Sequence, residues 1–192
     1  MGGIIKKIAV IGAGLMGHGI AQEFSTAGYE VALNDVSNQR LGLALGHVRE
    51  NLGSLGFAKE DVNRIAARIQ TSADLPAVLL DADLVVEAVP EDLEVKRTVF
   101  TKIDQLLPTH SIIASNTSSF MPSQLASVTG RPGQVLVAHY FNPPYLVPLV
   151  EIVRSSDTTD ETVTSVTTLL KGIGKYLSLI HISEPTRLGM IS

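Results

Sequence analysis

There is no cysteine anywhere in these 192 residues, which excludes disulfides and thiolate metal sites but fits any compartment. No run of apolar residues reaches membrane-spanning length, and Met1–Lys7 lacks the layout of a secretory signal peptide. Excess positive charge is lacking too. The formal net charge is −4, so the chain offers no broad attraction for nucleic acid or an anionic membrane. Internal repeats and low-complexity stretches are likewise missing, and no linker stands out before residue 176. The expectation from these absences is a soluble cytoplasmic protein with neither nucleic acid nor membrane as a partner.

What is present is an ordinary globular composition, 45% apolar and 18% charged, in a length that fits one domain or one domain plus a fragment. Ile8–Ile11 reads as a buried strand, followed by a glycine-rich turn and a helical stretch with Ile20, Phe24 and Ala27 on one face. Glu30–Asn34 reads as a second strand. Ser37 is placed to cap a long helix carrying Leu41, Leu45, Val48 and Leu52 on one face. Residues 59–69 read as another helix, so the two form a helical excursion before the sheet resumes. Leu84–Val89, Ser111–Ser115, Val135–Tyr140 and Leu149–Val153 are further strands, with helices over 93–107 and 159–171. This alternation predicts an α/β fold, a doubly wound, mostly parallel sheet of Rossmann type.

The stretch "VIGAGLMG" sets Gly12, Gly14 and Gly17 in a G-x-G-x-x-G pattern between a strand and a helix. Gly12 permits the tight turn, Gly14 lets a pyrophosphate approach the backbone, and Gly17 allows close packing of helix on strand. Asp35 falls eighteen residues beyond Gly17, at the end of the second strand. A carboxylate there can accept both adenosine ribose hydroxyls and would repel a 2′-phosphate, which points to NAD. Two features temper this: Asp35 would also serve as a turn residue beside Ser37, and Arg40 lies near enough to assist a phosphate.

Further on, "EAVPEDLEVK", "ASNTSS" and "AHYFNPPYLVPLVEIV" resemble the 3-hydroxyacyl-CoA dehydrogenases, with a likeness running from about Lys7 to Lys175. The resemblance implies that His139 removes the hydroxyl proton, that Glu151 orients and charges it, and that Ser118 and Asn142 contact substrate. It also implies cofactor contacts for Glu91 and Lys96. The chemistry agrees with the residue types. Oxidising a secondary alcohol needs a base for the hydroxyl proton while hydride leaves, and histidine suits that near neutral pH. Taken singly, His139 reads as a half-buried structural histidine, Ser118 as part of a capped loop, and Glu91 and Lys96 as a charged helix start. His18, His47 and His110 have no partner pattern and read as surface or packing residues. No spacing of His, Asp and Glu marks a metal site.

The resemblance implies NAD-dependent oxidation of an (S)-3-hydroxyacyl-CoA, such as 3-hydroxybutyryl-CoA, to the 3-oxoacyl-CoA. "VPEDLEVK", "MPSQL" and "NPPYLVPLVE" are also similar to L-gulonate 3-dehydrogenase and the lambda-crystallins. A sugar-acid or carnitine-type dehydrogenase therefore stays open, as does a cofactor-binding fragment without turnover. Leu177–Ser192 breaks the rhythm and resembles a translated sequencing adapter read in one frame. The expectation is a truncated NAD-binding dehydrogenase domain over 1–176 and a non-native tail over 177–192, in which His181 is no site. The family's all-helical C-terminal domain would then be missing, and with it the surface through which an intact parent forms a homodimer.

Overall fold

The computed structural model describes residues 5–181. From the amino end the elements are β1 (Lys7–Ile11), α1 (Leu15–Thr26), β2 (Glu30–Asn34), α2 (Asn38–Ser54) and α3 (Lys59–Ala66). There follow β3 (Ile69–Ser72), α4 (Leu75–Leu79), β4 (Leu84–Glu87), α5 (Leu93–Leu106) and β5 (Ile112–Ser115). The last are α6 (Pro122–Ala126), β6 (Val135–Tyr140), β7 (Leu149–Arg154), α7 (Asp160–Gly172) and β8 (Tyr176–His181). The strands form one sheet in the order β3-β2-β1-β4-β5-β6-β7-β8. Pairing is parallel from β3 across to β6, β7 runs antiparallel to β6, and β8 is parallel to β7. The Rossmann-type fold expected from the sequence is the fold observed.

Strand periodicity explains the layers. In β1, Ile8 and Val10 join a core with Phe24 of α1, Val48 of α2 and Leu169 of α7. Ala9 and Ile11 point to the opposite face, into a core with Val78 of α4, Phe100 of α5 and Leu125. Because helices cover both faces, β4 and β5 are buried at every position and are apolar up to their last residues, Glu87 and Ser115. Phe24 and Phe100 are fully buried. Each contributes about 1.5–3 kcal/mol by leaving water. The Ser37 hydroxyl accepts the Arg40 N–H, as expected of a cap, and Asp92 and Thr159 start α5 and α7 in the same way.

The structure corrects one part of the sequence reading. The helix expected over 59–69 ends at Ala66, and Ile69 opens β3 at the edge of the sheet. Its sequence, Ile-Gln-Thr-Ser, has too little apolar content to announce a strand. It pairs because β2 presents an open row of backbone donors and acceptors, and Asn34 Nδ2 donates to the Ser72 carbonyl at 2.8 Å. The segment beginning at Leu177, expected to be non-native, joins the sheet as far as residue 181. It continues a strand parallel to β7 from Leu149↔Tyr176 to Arg154↔His181, and Leu177 packs against the core. Residues 182–192 of the expected foreign tail lie outside the described residues. No described helix is long and apolar enough to cross a membrane.

The topology fixes where a site can form. The chain winds outward from β1 through β2 to β3, then returns to β4 on the other side and winds the opposite way. The carboxyl ends of β1 and β4 therefore diverge around a crevice, the place where open α/β sheets bind ligands.

Candidate active site

The glycine loop lies at that crevice. Gly12 has φ +105°, a left-handed conformation, and a Cβ there would stand 2.6 Å from the Ala88 carbonyl oxygen. At Gly17 a Cβ would stand 1.7 Å from the Gly12 carbonyl oxygen, so the helix can start this close to the loop only without a side chain. Gly14 differs, since a Cβ there would meet nothing within 4 Å. Two of the glycines answer the packing of the protein, while Gly14 leaves open space. Gly14 also precedes α1, whose first turn has no side-chain cap and no acidic residue. An uncapped helix start beside an open glycine is the environment a pyrophosphate requires.

Asp35 follows β2 and is buried. Its Oδ2 accepts the Ala13 N–H at 2.9 Å, and its Oδ1 accepts the Ser37 N–H at 2.9 Å. The carboxylate thus ties the glycine loop to the start of α2, which is the turn role the sequence offers. Arg40 Nη1 lies 3.8 Å from Asp35 Oδ2.

On the other wall, buried Lys96 joins the more exposed Glu91 in a hydrogen-bonded network rather than a loosely charged helix start. Lys96 is almost fully buried, and its ammonium reaches Glu87 Oε1 at 2.7 Å, Glu91 Oε2 at 3.1 Å and the Val89 carbonyl at 3.3 Å. Its three hydrogens match these three acceptors. Glu91 Oε1 accepts the Thr117 hydroxyl and the Ser118 and Ser119 N–H groups. Partial burial pushes the Glu91 carboxyl up, but the Thr117 hydroxyl, the Lys96 ammonium and the Ser118 amide outweigh it and hold the group below its ordinary range. Glu87 was missed by the sequence reading. The only signal was a carboxylate closing the apolar run Leu84–Val86, where burial demands a partner.

A cleft of about 300 Å³ opens between these walls, bordered by Met16, Ala88, Glu91, Ser118, His139 and Asn142 among others. His139 lies in β6 directly opposite Glu151 in β7, and the antiparallel pairing points both side chains to one face. Their atoms meet at 3.0 Å, His139 Nδ1 to Glu151 Oε2. With Nδ1 facing a carboxylate, the proton belongs on Nδ1 and the second ring nitrogen is left as an acceptor. The Phe141 ring packs against the imidazole at a tilt of 50°, with centroids 4.8 Å apart. Asn116, also overlooked in the sequence, accepts the Tyr140 N–H at 2.9 Å and so fixes the end of β6 beside the site.

His18, His47 and His110 lie outside the residues that border this cleft. His18 is buried, with Nδ1 at 2.8 Å from the Gly14 carbonyl oxygen and His47 stacked on it. Burial lowers its pKa, His47 adds to that, and the Gly14 bond opposes it. His110 is on the surface beside Asp83.

The arrangement comprises a glycine loop after β1, an acid after β2 and a His–Glu pair across β6 and β7. A sequence model of the "3-hydroxyacyl-CoA dehydrogenase, NAD binding domain" matches residues 7–181. The chain belongs to this family. A 3-hydroxybutyryl-CoA dehydrogenase of Bradyrhizobium diazoefficiens is 37% identical over 182 residues, which are 93% of this chain and 62% of that protein. The mitochondrial hydroxyacyl-coenzyme A dehydrogenase of Sus scrofa is 36% identical over 182 residues, covering 90% of this chain and 58% of the relative. The crystal structure of the (S)-3-hydroxybutyryl-CoA dehydrogenase from Ralstonia eutropha superposes with a TM-score of 0.89 at 32% identity, over 93% of this chain and 64% of that one. The chain therefore spans about three fifths of the length of these dehydrogenases. NAD is the cofactor of the family domain, and Gly12, Gly14, Gly17 and Asp35 have the geometry to hold it.

Proposed function

We propose that this chain carries the cofactor-binding and proton-transfer half of an NAD-dependent (S)-3-hydroxyacyl-CoA dehydrogenase acting on substrates such as 3-hydroxybutyryl-CoA. The observation that carries the reading is the His139–Glu151 pair at 3.0 Å, whose histidine borders the same cleft as Ala88 and Met16 beside the glycine loop. When bound, NAD supplies the acceptor for the hydride leaving the hydroxyl carbon. The residues of the chain do the rest. Glu151 holds the Nδ1 proton of His139, so the other ring nitrogen accepts the substrate hydroxyl proton, and the carboxylate then offsets the imidazolium charge. Ser118 and Asn142 border the cleft and would orient the hydroxyl and the acyl carbonyl. Glu91 and Lys96 shape its cofactor wall.

In this reading the rest of the acyl pocket and the homodimer surface belong to helical residues of the parent outside this chain, which works in the cytoplasm. Leu177–Ser192 would then be foreign to the dehydrogenase, although the family match extends to residue 181. Sequencing the parent gene past codon 176 decides that point. Hydride transfer needs the reacting carbon at near-attack distance, and a misplacement of about 1 Å can cost a hundredfold. The expected result is therefore NADH binding without appreciable oxidation of 3-hydroxybutyryl-CoA. Fluorescence titration with NADH, and stopped assays at high protein concentration following NADH absorbance, test both halves. No binding, or turnover within about tenfold of an intact relative, would overturn the corresponding half.

A further inference from the structure

We infer that Glu87 is a positioning residue for the cofactor cleft, an assignment that rests on the reading of this cleft as an NAD site. Glu87 closes β4 with its side chain wholly buried. Each of its oxygens is committed. Oε1 accepts the Lys96 ammonium at 2.7 Å and the Val89 N–H at 2.8 Å, and Oε2 accepts the Ser115 hydroxyl at 2.5 Å. Ser115 Oγ in turn accepts the Thr117 N–H at 3.2 Å.

The connections close a ring. From Glu87 one arm runs through Lys96 to Glu91 and on to the Thr117 hydroxyl and the Ser118 and Ser119 amides. The other arm runs through Ser115 back to Thr117. Both arms end on the segment after β5 that carries Asn116 and Ser118 into the cleft, and the Val89 bond fixes the segment after β4 that carries Ala88 against Gly12. Two wall segments from different strands thus take their positions from one carboxylate. Burying a carboxylate–ammonium pair is a poor way to gain stability, because desolvation cancels much of the attraction. Its directional bonds are what an apolar pair of the same volume would not supply.

Glu87→Gln keeps the shape and removes the charge. Lys96 would then have Glu91 as its remaining counter-charge and would draw it from the amides it accepts. In the chain as it stands, hydrogen exchange at the Ser118 and Ser119 amides should rise by about tenfold or more, the scale set by losing a charge-assisted hydrogen bond, with NADH affinity falling about tenfold. The β1 amides should exchange as before. A uniform rise in exchange, including β1, would mark Glu87 as merely structural and overturn the inference. Unchanged exchange with unchanged NADH affinity would also overturn it. If Glu87→Gln fails to fold by circular dichroism, Ser115→Ala removes one arm without touching charge. The same local exchange and weaker NADH binding are expected of it, and normal values would overturn the inference. Failure of the unsubstituted chain to bind NADH would overturn the cofactor reading itself and this inference with it.

Discussion

Asp35 ties the glycine loop to the start of α2, and the proposed reading gives it a ribose as well. Both its oxygens accept backbone N–H groups, yet each keeps a lone-pair site that a ribose hydroxyl can use. A 2′-phosphate would bring negative charge against it, so NADH should bind more tightly than NADPH. Asp35→Asn should weaken NADH binding and strengthen NADPH binding, because Arg40 at 3.8 Å loses its counter-charge. Parallel fluorescence titrations check this, and equal affinities in the unsubstituted chain would defeat it. In an intact parent, His139→Ala should lower kcat by roughly 10²–10⁴, the usual worth of general acid–base catalysis. Glu151→Gln should slow turnover as well. Near-full activity of the His139→Ala enzyme would remove His139 as the base. Glu91 gives a prediction in pH. Its folded-state pKa lies below the ordinary value, so its contribution to stability is present above the ordinary carboxylate range and is lost as pH falls through the depressed value. The melting temperature of the chain should exceed that of Glu91→Gln near neutrality, and the gap should close on acidification. A gap that widened in acid would contradict the ion-pair account.

At the scale of elements, legibility followed burial. Strands covered on both faces, such as β4 and β5, are written as apolar runs, and the α2 face shows as Leu41, Val48 and Leu52. Edge strands are not written this way. β3 and β8 form because a neighbouring strand offers backbone partners, and their own side chains carry little of the signal. The site divides along the same line. The glycine loop and Asp35 stand out by type and spacing, and His139 and Glu151 through the family resemblance, whereas Glu87 and Asn116 act through contacts across the sheet that spacing does not reveal. The loop-to-α1 junction separates the two roles of glycine. Gly17→Ala should disturb the fold, because the Cβ would stand 1.7 Å from a backbone oxygen. Gly14→Ala should leave the melting temperature within about 2 °C while weakening NADH binding, since its Cβ fills open space and surface changes of this kind are nearly neutral. Thermal melts paired with titrations check both. Intact NADH affinity in Gly14→Ala would mean that the pyrophosphate does not approach there.

For the whole molecule, the eighth strand poses a sharper question than its sequence does. Leu177–His181 was expected to be foreign, yet it continues β8 in regular parallel pairing with β7. The two statements are compatible. A strand at a sheet edge is recruited mainly by backbone hydrogen bonds, and a β-compatible stretch such as Leu-Ser-Leu-Ile can satisfy them whatever its origin. Among the described side chains of the segment, Leu177 packs against the core, while Leu179 is 55% exposed and Ile180 is 36% exposed. Ending the chain at Tyr176 should therefore have an uneven effect. The outer edge of β7 would lose its partner and expose a row of free donors and acceptors together with Leu149, already half-exposed. The melting temperature should fall and the soluble fraction should drop, because an open apolar edge templates association. NADH affinity of the remaining soluble protein should not change, since the glycine loop and Asp35 lie beyond β4, β5 and β6 from that edge. Melting curves, light scattering and NADH titration on the shortened chain measure the three effects separately. A lost NADH affinity with an unchanged melting temperature would reverse the expectation, by showing that the edge strand supports the cofactor site and not the sheet it extends.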